Sequence, residues 1–167
     1  AGSCVYAIKN YPDYFTKAGE LGWAERAKKV VARFCDLTDF IVNKLGVTDV
    51  GAYLPGKAVY HPSCSLTRKL GIVDEPIALL KGVKGLDLLP IHNQQTCCGF
   101  GGTFSVKMAE ISGEMVKEKV EHIEEVEPQY LIGADVSCLL NIGGRLQREG
   151  SKIKVMHIAE VLMQGEK

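Results

Sequence analysis

"LDLLPIHNQQTCCGFGGTF" (residues 86–104) begins as an apolar, strand-like run, breaks near a proline, and reaches two adjacent cysteines followed by Gly99, Gly101 and Gly102. From 104 to 126 apolar residues recur at helical spacing, so the passage reads as strand, loop and long amphipathic helix. The same order recurs on either side of it. "KAVYH" (57–61) is a β-branched and aromatic run leading into the helical "PSCSLTRKLG", and "DEPIALLKGV" is a second helix with Pro76 in its first turn. "YLIGA" (130–134) is a strand before a helix over 137–147, and "KIKVMH" (152–157) a strand before the helix "IAEVLM". This alternation predicts an α/β fold: βαβ units, a parallel sheet and flanking helices.

Upstream the texture is helical. Helices are expected over 5–15, broken by Pro12, over 23–34, and over 37–45, the last with Asp36 as N-cap and Gly46 as stop, before a loop at "GAYLPG" (51–56). The expected division is a helical segment, 1–56, and an α/β unit, 57–167. "AGSCVYAIKN" at the start echoes "DVSCLLNIGG" at 135–144, which makes Cys4 the expected last element of an earlier copy of the same unit.

The chain has 167 residues, enough for a hydrophobic core that needs no disulfide staples. Its formal net charge is zero, which gives no basic surface for nucleic acid or anionic lipid. No apolar run approaches the roughly 18–20 residues of a membrane span, and the first residues show no charged-then-apolar signal pattern, so none is expected. The expected location is cytoplasmic. There thiols stay reduced, and the six cysteines at 4, 35, 64, 97, 98 and 138 point to metal or catalysis rather than to disulfides.

Cys64, the Cys97–Cys98 pair and Cys138 each follow an expected strand. In a parallel sheet these are carboxyl ends, where open α/β sheets place their functional crevice, so three distant segments deliver thiols to one rim. Helix amino-termini expected just after Cys64, Cys98 and Cys138 would favour thiolates and lower their pKa. Gly99, Gly101 and Gly102 would let the backbone approach an inorganic group and offer N–H groups to it. Adjacent thiolates suit different metal atoms of a cluster better than one tetrahedral ion, because zinc motifs separate paired ligands by two to four residues.

Other readings compete at each position. Cys35, on a helix face, reads as core. The glycine loop lacks the Gly-Lys ending of a phosphate-binding loop. His61, beside Pro62 at the rim, is a group near the metal, an acid or a strand-end residue. Arg68, one helical turn past Cys64, is an anion holder or a surface ion-pair partner. His92 is a loop residue, His157 a helix cap, and His122 lies with "KEKVEHIEEVE" on a solvated helical face.

Cys64, Cys97-Cys98-Gly99 and Cys138 together resemble the CCG (cysteine-rich) domain of heterodisulfide-reductase-related iron–sulfur proteins. That motif runs Cys, thirty-odd residues, Cys-Cys, mid-thirties residues, then Cys-x-x-Cys. Here 32 residues separate Cys64 from Cys97, and 36 separate Cys98 from position 135, which holds Asp135 where the motif has a cysteine. "YHPSCSLTRKLGI", "CCGFGGTFSVKMAEIS", "GADVSCLLNIGGRL" and "VMHIAEVL" are similar to the lactate-utilisation and glycolate-oxidase group of iron–sulfur proteins over nearly the whole chain. The resemblance implies the second of two CCG units plus the end of a first, which would lie amino-terminal to this chain. It also implies an iron–sulfur electron-transfer subunit that oxidises L-lactate or a related 2-hydroxy acid with partner subunits, in the cytoplasm or peripheral to the inner face of the membrane.

The implied ligands are Cys64, Cys97, Cys98 and Cys138, with Asp135 as a fifth ligand or a group behind them. His61 and Arg68 are further candidates for that supporting role. The implied cofactor is an iron–sulfur cluster of the 4Fe–4S kind, with zinc as the alternative. Two other functions stay open: a zinc-stapled structural domain, and a thiol–disulfide enzyme using Cys97 or Cys98.

Overall fold

The computed structural model describes residues 2–165. Four strands, β1 (Tyr53–His61), β2 (Lys84–Leu89), β3 (Tyr130–Gly133) and β4 (Lys154–His157), form one all-parallel sheet in the order β2-β1-β3-β4. Parallel neighbours need crossovers, and helices supply them. A π-helical segment (Ser65–Leu70) and α5 (Asp74–Lys81) join β1 to β2. The short α6 (Phe104–Lys107) and α7 (Ala109–Glu124) join β2 to β3, and α8 (Val136–Arg148) joins β3 to β4; α9 (Ile158–Leu162) closes the unit. Before the sheet come α1 (Gly2–Lys9), α2 (Tyr11–Lys17), α3 (Leu21–Val31) and α4 (Leu37–Asp39), the last continuing as a π-helical turn, Phe40–Lys44, that lies against α5.

Strand position explains strand composition. The central β1 and β3 bury every residue from Ala58 to His61 and from Leu131 to Gly133, whereas the edges β2 and β4 stay partly exposed. Alternate side chains of the central strands feed two cores. Ala58, Tyr60 and Ile132 pack with Leu66, Leu80, Ile158 and Val161 on one face. On the other, Val59 and Leu131 pack with Val120 and Ile123 of α7, Leu139 and Ile142 of α8, and the side chains of Cys98 and Cys138. After β1 the chain steps to one side for β2, then back across β1 for β3. The strand order therefore reverses between β1 and β3, the point at whose carboxyl ends open α/β sheets place a functional crevice.

Several boundaries differ from expectation. β1 starts at Tyr53, so "YLPG" belongs to the sheet, with an irregularity between Tyr53 and Gly56, and the strand begins before residue 57. β2 spans 84–89 and stops before Pro90, which has no N–H for a ladder. The long helix is two: Met108 leaves the helical region (φ −127°, ψ 51°), and the continuous amphipathic face begins at Ala109. Nothing in "FSVKMAEIS" breaks a helix by composition, so the bend belongs to packing. Asp36 caps α4 as expected, accepting from the Thr38 N–H and hydroxyl. Cys35 lies in the turn before it, half-buried, rather than on a helix.

Candidate metal centre

The four rim cysteines are delivered by three connections. Cys64 opens the π-helical segment three residues after β1. Cys97 and Cys98 lie on the loop after β2, and Cys138 sits in the first turn of α8, just past β3. Burial grades across them: Cys64 and Cys97 are half-buried, Cys98 and Cys138 buried, and all are free thiols.

His61 completes the inner end of the group. As the last residue of β1 it pairs in register with Gly133 of β3, where the Leu139 side chain of α8 packs so closely that a Cβ would lie 2.9 Å from it. Its ring lies so that one nitrogen and the sulfurs of Cys98 and Cys138 are all within 4.8 Å of one another, and all three residues are buried. Both ring nitrogens of His61 lack a partner, as does the buried hydroxyl of Ser63. Burial pushes the imidazole pKa down to about 4, with the nearby Lys119 charge acting the same way and Asp135 opposing it. The ring is therefore neutral near pH 7 and carries a lone pair.

At the cysteine pair the shift runs opposite to the expected depression. Interaction with the Cys98 side chain, then burial, drives Cys97 far upward. Interaction with Cys138 and burial push Cys98 to about 12, though Cys97 opposes this. Crowded thiols resist becoming neighbouring anions, and the helix that was to offset this opens only at Phe104. The lowering influences are local: the Gly99 N–H donates to Cys97 Sγ at 3.4 Å, and the Phe100 N–H favours the Cys98 thiolate. A metal supplies the missing positive charge, because coordination deprotonates a thiol outright.

The pair-bearing loop is staked from several sides. The Lys119 ammonium, on a residue with no exposed surface, donates to the Asn93 and Gln94 carbonyls at 3.0 and 3.1 Å. Asn141 of α8 donates to the Cys98 carbonyl (2.7 Å), Ser112 of α7 to the Gly99 carbonyl (2.8 Å), and the Gln94 side chain to the Tyr60 carbonyl (3.1 Å). Lys119 falls on the buried stripe with Ser112, Val116, Val120 and Ile123, so the charged run around it is not uniformly a solvated face. Burial lowers its pKa to about 8, against the raising influence of Cys98, Glu118 and Cys97. Its place on that stripe was the available signal, masked by the glutamates around it.

Other expectations shift. Asp135 is the N-cap of α8: Oδ1 accepts from the Ser137 N–H (3.1 Å) and hydroxyl, and Oδ2 from the Ser3 N–H at the start of α1 (3.2 Å). Burial raises its pKa, but these donors outweigh it and hold the carboxylate below its ordinary range. Arg68 is exposed and donates to the Gln95 carbonyl (3.3 Å), on the loop that carries the cysteine pair. Gly99 (φ +82°) and Gly101 (φ +52°) turn the loop, but a Cβ on them would meet the Ser112 carbonyl and the Phe104 side chain. The glycines thus admit close packing with their own helices. His122 stacks edge-on against His92 (centroids 5.0 Å apart), and His157 caps α9 in a capping box.

The donor set suits a metal. Soft thiolates beside a neutral buried imidazole match zinc or iron, and the unpartnered nitrogens of His61 are the kind of buried polar atom that a bound group satisfies. Among the described residues no helix is long and apolar enough to cross a membrane.

A family model described as the CCG cysteine-rich domain matches residues 58–143. The chain is 75% identical over 163 residues to uncharacterized protein YkgE of Escherichia coli (strain K12), across 98% of this chain and 67% of that protein. It is 58% identical over 162 residues to lactate utilization protein A of Geobacillus thermodenitrificans (strain NG80-2), across 97% and 67%. It is 56% identical over 162 residues to lactate utilization protein A of Lysinibacillus sphaericus (strain C3-41), across 97% and 70%. The chain thus spans about two thirds of the length of these relatives. The matched segment runs through all four rim cysteines, and the chain belongs to the CCG cysteine-rich domain family.

Proposed function

We propose that this chain is part of an iron–sulfur subunit of a lactate-utilisation system, and that Cys64, Cys97, Cys98 and Cys138 hold its metal centre. The observation that carries the reading is the meeting of these thiols at the reversal point of the sheet, with an unpartnered buried imidazole among them. The relatives named for lactate utilisation support the substrate class. When bound, an iron–sulfur cluster of the 4Fe–4S kind supplies one-electron transfer, the step that follows removal of two electrons from a 2-hydroxy acid. The protein's own part is to hold the ligand loop with Lys119, Asn141 and Ser112 and to shield Cys98 and Cys138 from water. It also directs N–H groups of Gly99 and Phe100 at the thiolates, which sets their electron richness.

In this reading residues 57–167, together with the start of β1 just before them, are one CCG unit, and the helical residues within 1–56 are the end of a preceding one with its connector. The protein works in the cytoplasm, with partner subunits supplying substrate oxidation and the final acceptor. A zinc-stapled structural unit is the second reading, favoured by the size of the His61–Cys98–Cys138 group, which suits a single ion. Metal and sulfide analysis of anaerobically purified protein separates the two. Several irons with matching sulfide and a visible chromophore are the expected result. One zinc without sulfide moves electron transfer elsewhere, and no metal at all under either loading ends both readings.

A further inference from the structure

The family motif implies a cysteine at position 135, and this chain has an aspartate there that is occupied elsewhere. Its Oδ1 accepts twice from Ser137 and its Oδ2 accepts from Ser3. Asp135 also lies outside the one group of close metal-binding donors among the described residues. Withdrawing those oxygens toward a metal would uncap α8 and release the start of α1.

His61 stands in the opposite condition. The residue is 2% exposed, and neither ring nitrogen has a partner. Leaving a buried polar group unsatisfied costs roughly 1–3 kcal/mol, and buried polar atoms without partners are rare. The neighbours within reach of the ring are the sulfurs of Cys98 and Cys138. Donors sharing one tetrahedral metal sit roughly 3.3–3.8 Å apart, given metal–sulfur and metal–nitrogen bonds of about 2.3 and 2.0 Å. A group already within 4.8 Å reaches that spacing by small side-chain rotations.

Resting on the metal-centre reading above, we infer that His61 is a direct metal ligand through a ring nitrogen. It takes the place left by the absent fifth cysteine, next to Cys98 and Cys138, while Asp135 remains a helix cap. The centre then has mixed sulfur and nitrogen ligation at its buried end and all-sulfur ligation at the outer end, where Cys64 and Cys97 are half-buried. Because the nitrogen donor is neutral, the centre carries one negative charge fewer than a five-thiolate site. Such a change raises a reduction potential.

The test uses the chain labelled with 15N-histidine, loaded anaerobically with cobalt(II) as the probe metal, and read by pulsed EPR. The expected result is one strongly coupled nitrogen that disappears in His61→Cys, with cobalt content kept within about twofold, while Asp135→Asn leaves the coupling unchanged. If His61→Cys does not fold, the milder His61→Gln is read the same way. The label alone already decides whether any imidazole is bound. Bound cobalt without a coupled nitrogen, or a coupling that survives replacement of His61, overturns this inference and leaves the thiolate centre standing. A chain that takes up no cobalt overturns both.

Discussion

Helices α2 and α3 and the sheet bury apolar surface in different ways. Among the described residues, α2 buries none of its own and α3 only Ala24 and Ala27, while Tyr11, Tyr14, Leu21, Trp23 and Val30 stay exposed. Phe15 of α2 stacks on Trp23 of α3 at 6.1 Å, and within α3 the Arg26 guanidinium lies 4.3 Å from the Trp23 ring. In the sheet, by contrast, β1 and β3 are covered on both faces. α1 belongs with the sheet in this respect. A Cβ on Gly2 would lie 2.7 Å from Leu66, the Val5 side chain is buried, and Ser3 binds Asp135. The difference teaches where rigidity is needed. Elements that border the thiols are fixed by burial on several sides, and the α2–α3 pair, away from them, is not.

The strongest way to break this contrast is in the central strands. Leu131→Ala removes a fully buried side chain and is expected to destabilise the protein by about 2–5 kcal/mol in urea unfolding. An effect below about 1 kcal/mol would show a sheet far more yielding than its burial implies.

The pH dependence of the metal-free protein probes the buried end of the site. His61 is held neutral, with its pKa near 4 against 6.5 for the free side chain. Between those values the unfolded chain binds the extra proton and the folded one does not. Stability is therefore complete above pH 6.5 and falls as pH drops toward 4, by on the order of 3 kcal/mol. In His61→Gln that slope should vanish. A slope that persists would assign it to other groups.

Lys119→Met leaves the Asn93 and Gln94 carbonyls without their charged donor. The expected loss is about 2 kcal/mol, with alkylation of Cys97 several-fold faster as the loop loosens. Unchanged alkylation would mean that Asn141, Ser112 and Arg68 hold the loop alone.

Asp135→Ala removes both the α8 cap and the tie to α1, for about 1 kcal/mol. Since the carboxylate pKa is depressed, its contribution is present above the ordinary aspartate value and is lost as pH falls below it. The difference between wild type and variant should shrink in acid. Trp23→Ala should cost least, under about 1 kcal/mol, because half the ring is exposed and only stacking and cation–π contacts are lost. Thermal unfolding ranks the two variants, and the reverse order would dissolve the contrast between the regions.

Much of this was legible from residue types and spacing. Strand–helix alternation from "KAVYH" onward implied a parallel sheet, and cysteines placed after three strands implied one rim. Both follow from local periodicity and from the rule that crossovers return each strand in the same direction. What spacing cannot convey is which way a side chain points and what else is in its path. Asp135 occupies a motif position yet faces the peptide N–H groups of α8 and α1. Lys119 hides in a charged run yet falls on the buried side of α7. His61, one residue among several at a strand end, comes to lie beside Cys98 and Cys138, which arrive on other connections.

The order of elements, the thiols and their delivery to one edge can be read along the chain, since these depend on sequence neighbours. Which polar groups are satisfied and which are left waiting for a partner emerges on folding, because hydrogen bonding and burial are settled between segments that the chain brings together from far apart.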